Sequence, residues 1–204
     1  MRIGLFGGSF DPVHLGHLWI AESAIESLGL DQVRWIPAAL SPLKPNGPVA
    51  SDQDRLEMLR LAISGSEKHV IDDREVRRGD VSYTVDTVVQ LQSEFPIDDF
   101  YLIIGSDSLA TIRQWYQSRK LLEKILLAVV QRGGEEQLDF SVLDRVATPQ
   151  RIEEIGRHTI KMPVIEISSR EIRERVAQGR SIRYRVPRSV EALIDAKNLY
   201  VPQS

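Results

Sequence analysis

The sequence predicts an α/β fold, a doubly wound parallel sheet in one domain over residues 1–204, with residues 168–204 as a small C-terminal helical part. Two observations carry this. Short apolar runs alternate with amphipathic stretches along the chain, the pattern of strands covered by helices. The first run then feeds a glycine-rich turn at the start of a helical pattern, as in sheets that bind ligands beyond their strand ends. No repeat, low-complexity tract or linker interrupts the alternation.

Taken in order, Arg2–Phe6 is the first expected strand, followed by the turn at residues 7–12. A helix is expected from His14 to Leu28, with Leu18, Ala21, Ile25 and Leu28 at helical spacing and Gly29 as its stop. Val33–Pro37 is the second strand. The following stretch holds prolines at 37, 42, 45 and 48 and reads as a loop. Ser51 opens a helix to Ser64, with Asp54 placed for a capping box. His69–Ile71 is a short third strand, Asp72–Asp80 a charged loop, and Thr84–Phe95 a helix stopped by Pro96. Phe100–Ile104 is a strand, residues 108–123 a helix, Ile125–Val130 a strand and Gly133–Asp139 a surface loop. Helix 141–156, strand Pro163–Ile167 and helices 169–177 and 187–196 complete the expected order.

Composition narrows the chemistry. The chain has 204 residues, 42% hydrophobic and 27% charged, enough for a full core. With no Cys, disulfides, thiolate metal sites and cysteine nucleophiles are excluded. Only four residues separate Arg2 from Gly7, so no signal-like stretch is expected, and the longest apolar run, Ile125–Val130, is far below a membrane span. A soluble, cytoplasmic protein is expected, with no membrane partner. The net charge of −3 argues against bulk nucleic-acid binding. It conceals a local excess of +5, because residues 168–188 hold seven arginines against Glu171 and Glu174. Such a patch on an acidic chain points to an anionic ligand of limited size. As a nucleic-acid surface it would need interleaved aromatics, and only Tyr184 is present.

The turn Gly7-Gly8-Ser9-Phe10-Asp11-Pro12 and the helix start behind it are the most informative segment. Gly7 and Gly8 let backbone approach a ligand, and the first N–H groups of the helix favour an anion. His14 and His17, three residues apart, share one face with Gly16 between them. They suit charge developing on a phosphoryl group, although a metal-ligand pair has the same spacing. At the other end, Ser168 and Ser169 cap a helix whose first N–H groups can bind phosphate oxygens, and Arg173 follows one turn on with a two-pronged donor. A plain capped surface helix is the alternative. Gly105-Ser106-Asp107 lies past an apolar strand, where Asp107 can accept from ribose hydroxyls or cap the next helix. Trp115-Tyr116 offers a flat face to an aromatic ring or simply fills core. No P-loop, Gly-x-Gly-x-x-Gly or His-Glu-x-x-His pattern is present.

Gly8-Ser9-Phe10-Asp11-Pro12-Val13-His14-Leu15-Gly16-His17 resembles the signature of the adenylyl- and cytidylyltransferase superfamily. Ile167-Ser168-Ser169-Arg170-Glu171-Ile172-Arg173 is similar to its Ile-Ser-Ser-Thr-x-Ile-Arg motif, with Arg170 in place of the usual Thr. Tyr83-Thr84-Val85-Asp86-Thr87, Ile104-Gly105-Ser106-Asp107-Ser108-Leu109 with Trp115 beyond it, Asp54-Arg55-Leu56-Glu57-Met58 and Tyr184-Arg185-Val186-Pro187 narrow the resemblance to bacterial nicotinate-nucleotide adenylyltransferases. Ser41-Pro42-Leu43-Lys44 fits more loosely, keeping the lysine of a Pro-Pro-His-Lys loop. The phosphopantetheine adenylyltransferases share both end motifs but lack the Tyr-Thr-x-Asp-Thr block.

The resemblance implies a Rossmann-like nucleotidyltransferase that joins AMP from ATP to nicotinate mononucleotide, or to the nicotinamide nucleotide, and releases pyrophosphate. It implies Mg²⁺ with the ATP, no metal site built from the protein, and allows a homo-oligomer. His14, His17 and Arg173 are the implied catalytic residues. Gly7, Gly8, Ser9, Phe10, His17, Gly105, Asp107, Ser168, Ser169 and Arg173 would bind ATP. Lys44, Thr84, Asp107, Trp115, Tyr116 and Arg132 would bind the mononucleotide, with Trp115 stacked on the nicotinate ring and backbone at Thr84 and Tyr116 on its carboxylate.

Overall fold

The structure, a computed structural model, describes residues 1–42, 47–132 and 138–202, without the side chain of Arg132. Six strands form one parallel sheet: β1 (Arg2–Gly8), β2 (Gln32–Pro37), β3 (His69–Ile71), β4 (Asp99–Gly105), β5 (Leu126–Arg132) and β6 (Thr159–Met162), in the order β3-β2-β1-β4-β5-β6. The order reverses between β1 and β4, which leaves a crevice beyond their carboxyl ends for a ligand. The register sets Gly4 against Val33 and Tyr101, and Leu5 against Arg34 and Leu102.

Helices cover both faces, so the central strands are apolar throughout. On one face Phe6, Trp35 and Ile103 pack with α1 (Leu15–Leu28), α2 (Asp52–Ile63), α8 (Ser169–Ala177) and α9 (Arg188–Ala196). The last two contribute Ile172, Val190 and Ile194 to that core. On the other, Leu5, Leu102 and Leu127 pack with α4 (Thr84–Glu94), α6 (Ser118–Lys124) and α7 (Pro149–Arg157). Gly4 is dictated by packing, since a Cβ there would lie 2.8 Å from the Ile103 and Leu30 side chains. The Gly29 cap is as expected, and Ser51 forms half of the expected capping box, its hydroxyl donating to the Asp54 carboxylate where the box would use the Ser51 N–H. Gly29 ends α1 with φ 57°, and the Ser51 side chain accepts from the Asp54 amide at the start of α2.

Four expected elements differ. The charged loop contains a short helix, α3 (Arg74–Arg78), ended by Gly79 at φ 74°. The helix expected over 108–123 is divided into α5 (Ser106–Thr111), a 3-10 turn at Ile112–Gln114, and α6. The break falls where Trp115 is extended and Gln117 takes φ 49°, and Trp115 is thereby turned toward the crevice. The helix expected from 141 begins only at Pro149, behind a Thr148 cap, because proline fits the first turn of a helix but not its interior. The sixth strand is Thr159–Met162 rather than 163–167, since Pro163 has no N–H with which to extend the ladder.

Charge fixes α3 to the sheet edge. Asp72 is buried and accepts from Arg74 Nε and Nη2, each at 2.8 Å, and Arg74 also reaches Glu94. Burial alone would raise the Asp72 carboxyl, but the Arg74 and Arg34 guanidinium groups override it and hold it below the usual carboxylate range. A depressed acid stabilises the fold above its ordinary pKa of about 4 and loses that contribution as pH falls through the folded value. Asp72→Asn is therefore expected to lower stability by about 1–3 kcal/mol at pH 7. Urea denaturation of both forms between pH 7 and pH 3 checks this, and the difference should close toward the acid end.

Candidate active site

The turn from β1 to α1 is built by local chemistry. His14 caps α1 with a reciprocal pair of contacts: its Nδ1 accepts from the His17 amide, and His17 Nδ1 accepts from the His14 amide, both at 3.3 Å. The rings stack with centroids 3.6 Å apart. With Nδ1 an acceptor on each ring, the proton of the neutral imidazole belongs on Nε2, so both present that nitrogen as a donor. Gly16 makes this possible, because a Cβ there would crowd His14 Nδ1 at 3.1 Å. Phe10 takes a left-handed φ of 47° and buries its ring against Phe6, His17 and Trp35. Its contribution to a ligand is therefore backbone. Gly8 lies beneath that ring, where a Cβ would meet it at 3.0 Å.

Two cavities flank this turn. The first, of about 420 Å³, is lined by Gly7, Gly8, Ser9, His17, Thr84, Gly105, Asp107, Trp115 and Tyr116. The second, of about 440 Å³, is lined by Gly8, Ser9, Phe10, Asp11, His14, His17, Ser168, Ser169, Arg170 and Arg173. Gly8, Ser9 and His17 belong to both, so His17 stands on the wall where contents of the two would meet.

The first cavity suits a flat, anionic ring compound. Trp115 presents a buried Nε1–H with no partner among the described residues. Tyr116 stacks obliquely on Tyr83 with centroids 4.4 Å apart. Helix α4 begins at Thr84 with no side-chain cap, which leaves first-turn N–H groups to favour a carboxylate. The second cavity suits polyphosphate. Ser168 caps α8 by accepting from the Glu171 amide, at 3.2 Å. The Ser169 hydroxyl donates to the Pro12 carbonyl at 2.9 Å, so its further donor toward an anion is its N–H. Arg173 donates to the Asp11 carbonyl at 2.6 Å and lies 3.6 Å from the Asp11 carboxylate. Lys44 and the Arg132 side chain lie outside the described residues; the Arg132 backbone ends β5.

Three positions around the site were not among the expected site residues, although Arg55 belongs to the Asp54–Met58 block. Arg55, fully buried, donates to the Ser9 and Ala38 carbonyls at 2.7 and 2.8 Å and braces the turn from behind. Glu75 lines the first cavity and accepts from Thr87 Oγ1 at 2.6 Å; burial pushes its carboxyl up. Tyr200 donates to Asp11 Oδ1 at 2.8 Å. A polar side chain looks the same in sequence whether it meets water or a buried carbonyl. Several arginines of the basic segment prove structural: Arg185 pairs with Glu171, Arg188 with Glu191, and Arg175 reaches the Ser181 carbonyl. Among the described residues no group of three or more His, Asp or Glu is arranged to hold a metal, and no helix is long and apolar enough to cross a membrane.

The parallel sheet with paired histidines between two cavities is the arrangement of a nucleotidyltransferase, and residues 5–175 match the cytidylyltransferase-like family. Within that class, the chain is 54% identical to a probable nicotinate-nucleotide adenylyltransferase of Rhodopirellula baltica, covering 97% of this chain and 92% of that one. It is 42% identical to a protein of the same description from Salinibacter ruber, over 99% of each. The fold superposes on the nicotinic acid mononucleotide adenylyltransferase of Plasmodium falciparum, solved with NaAD, with a TM-score of 0.78, 20% identity and coverage of 98% and 97%. The chain belongs to the nicotinate-nucleotide adenylyltransferase family.

Arg170 is exposed at the rim of the second cavity and has no partner among the described residues, whereas the charge of Arg173 is shared with Asp11. Arg170→Thr is expected to weaken binding of inorganic tripolyphosphate about fivefold to tenfold at low salt, the worth of one screened charge contact. The loss should shrink as ionic strength rises. Titration calorimetry at two salt concentrations measures both.

Proposed function

We propose that this enzyme transfers the AMP moiety of ATP to nicotinate mononucleotide, giving nicotinate adenine dinucleotide and pyrophosphate in the cytoplasm. The observation that carries this is the position of His17 on the wall common to both cavities. The mononucleotide occupies the first cavity, its ring on Trp115, its carboxylate at the N–H groups of Thr84 and Tyr116, and its ribose toward Asp107. The triphosphate occupies the second, at the start of α8.

The mononucleotide's phosphate is the nucleophile. It is already ionised at pH 7, so neither a protein nucleophile nor a general base is needed. One of its oxygens bonds to the α-phosphorus of ATP as the bond from that phosphorus to the β-bridging oxygen breaks. The electron pair leaves with pyrophosphate, and no proton moves in the transfer. The protein's share is alignment of the two phosphates and stabilisation of the departing charge. His14 and His17 donate through Nε2–H to the transferred and leaving phosphates. Ser168, the Ser169 N–H and Arg173 hold the β and γ phosphates. Gly7, Gly8, Ser9 and the Phe10 backbone follow the phosphate chain, with Gly105 closing the far side. Mg²⁺ arriving with the triphosphate would neutralise part of its charge, while Ser168, the Ser169 N–H and Arg173 hold the phosphates.

Pyrophosphate release from ATP, measured in parallel with nicotinate and nicotinamide mononucleotides, tests the reading. The nicotinate nucleotide is expected to be used more efficiently, and equal efficiency would remove the acid preference. His17→Ala is expected to lower kcat about 10²–10³-fold, the loss for one preorganised donor at a developing charge. Turnover near that of the wild type would exclude its role.

A further inference from the structure

Asp11 is an anion inside a cavity read here as a triphosphate site. It is buried, 3% exposed, and lines the wall beside Arg173. Such a carboxylate repels phosphates and draws the guanidinium away from them unless other donors absorb its charge. The donors are present. Oδ2 accepts from the Val49 amide at 2.7 Å and faces Arg173 at 3.6 Å. Oδ1 accepts from the Ala50 amide at 3.1 Å and from the Tyr200 hydroxyl at 2.8 Å.

Tyr200 reaches this place at some conformational cost. It takes a left-handed φ of 65°, and Asn198 takes 50°, unusual for side chains with a Cβ. The turn after α9 thus delivers one phenol to one carboxylate oxygen. Burial, then the neighbouring Asp11 charge, pushes the Tyr200 hydroxyl far above its ordinary range, so it remains a donor at working pH.

We propose that Tyr200 is a positioning residue for the triphosphate cavity: by donating to Asp11 it keeps that carboxylate from capturing Arg173, whose guanidinium then faces the ligand. The proposal rests on the reading of the second cavity given above. Without the hydroxyl, Oδ1 keeps one donor, the pair tightens from 3.6 Å, and Arg173 is withdrawn from the phosphates. The penalty falls on ATP and not on the mononucleotide, whose cavity Tyr200 does not touch.

The test is a double-mutant cycle on MgATP binding, read by titration calorimetry without the second substrate. Tyr200→Phe is expected to weaken MgATP about tenfold and to change KM for the mononucleotide less than twofold. In an Arg173→Ala background the same change should alter MgATP affinity less than twofold, because no guanidinium is left to capture. Leu193→Ala removes core packing under α9 without touching Asp11 or the turn that carries Tyr200. It is expected to lower Tm and leave MgATP affinity unchanged. Equal losses from Leu193→Ala and Tyr200→Phe, or a Tyr200→Phe effect that persists without Arg173, would reduce Tyr200 to a brace and overturn the proposal. Should Tyr200→Phe not fold, 3-fluorotyrosine in place of Tyr200 gives a stronger donor; tighter MgATP binding then supports the role and unchanged binding overturns it. Wild-type protein that binds no MgATP would overturn the reading of the cavity and this role with it. Normal wild-type binding that Tyr200→Phe leaves unchanged overturns the role alone.

Discussion

The buried carboxylate of Asp11 joins four parts of the chain that are distant in sequence. Through it the phosphate turn meets the backbone at Val49 and Ala50, the guanidinium of Arg173 and the phenol of Tyr200. The carbonyls of the same turn accept from Arg173 and Ser169, and its backbone continues into α1, where Leu15 donates to the Arg185 carbonyl. A carboxylate taken out of water is tolerated only when hydrogen-bond donors or a countercharge replace that water. That requirement forces the C-terminal helices, the tail and the loop after β2 to arrive together at the turn. The site is complete only when the whole chain has folded.

A second constraint acts behind the turn. Arg55 brings a positive charge into the protein and places it on the Ser9 and Ala38 carbonyls, between β1 and β2 where the strands end. Gly16 and the two histidines form a third, in which the same two rings cap the helix through Nδ1 and keep Nε2 as a donor. Capping fixes the tautomer and ring orientation before any ligand arrives, the preorganisation that phosphoryl transfer needs. Stability of the α1 terminus and readiness of the site thus rest on one arrangement.

The strands, the main helices and the site motifs were legible because they rest on short-range rules. Alternating apolar runs gave five of the strands at close to their observed positions, and Gly29 and Ser51 marked helix ends by backbone geometry that residue type controls. His14, His17, Ser168 and Arg173 stood out because each lies in a long motif at a helix start, where a single capping residue would not. The missed boundaries have local causes visible afterwards, at Pro149, at Pro163 and in the turn through Trp115 and Gln117. In the arginine segment the sequence assigns Arg173 to the ligand and leaves open whether Arg180, Arg183, Arg185 and Arg188 steer substrate or solvate a surface; Arg175, Arg185 and Arg188 are bound to the protein itself.

By itself the sequence determined the parallel sheet, the phosphate turn and the family resemblance, since each depends on residue types within a few positions of one another. Only the tertiary structure decided which polar groups are buried together. It placed His17 between two cavities, turned Phe10 inward, engaged the Ser169 hydroxyl on Pro12, and brought Tyr200 across 189 positions to Asp11. Burial is the physical reason for the difference. The meaning of a hydroxyl, carboxylate or guanidinium depends on what replaces its water, and that replacement comes from residues that no local pattern connects to it.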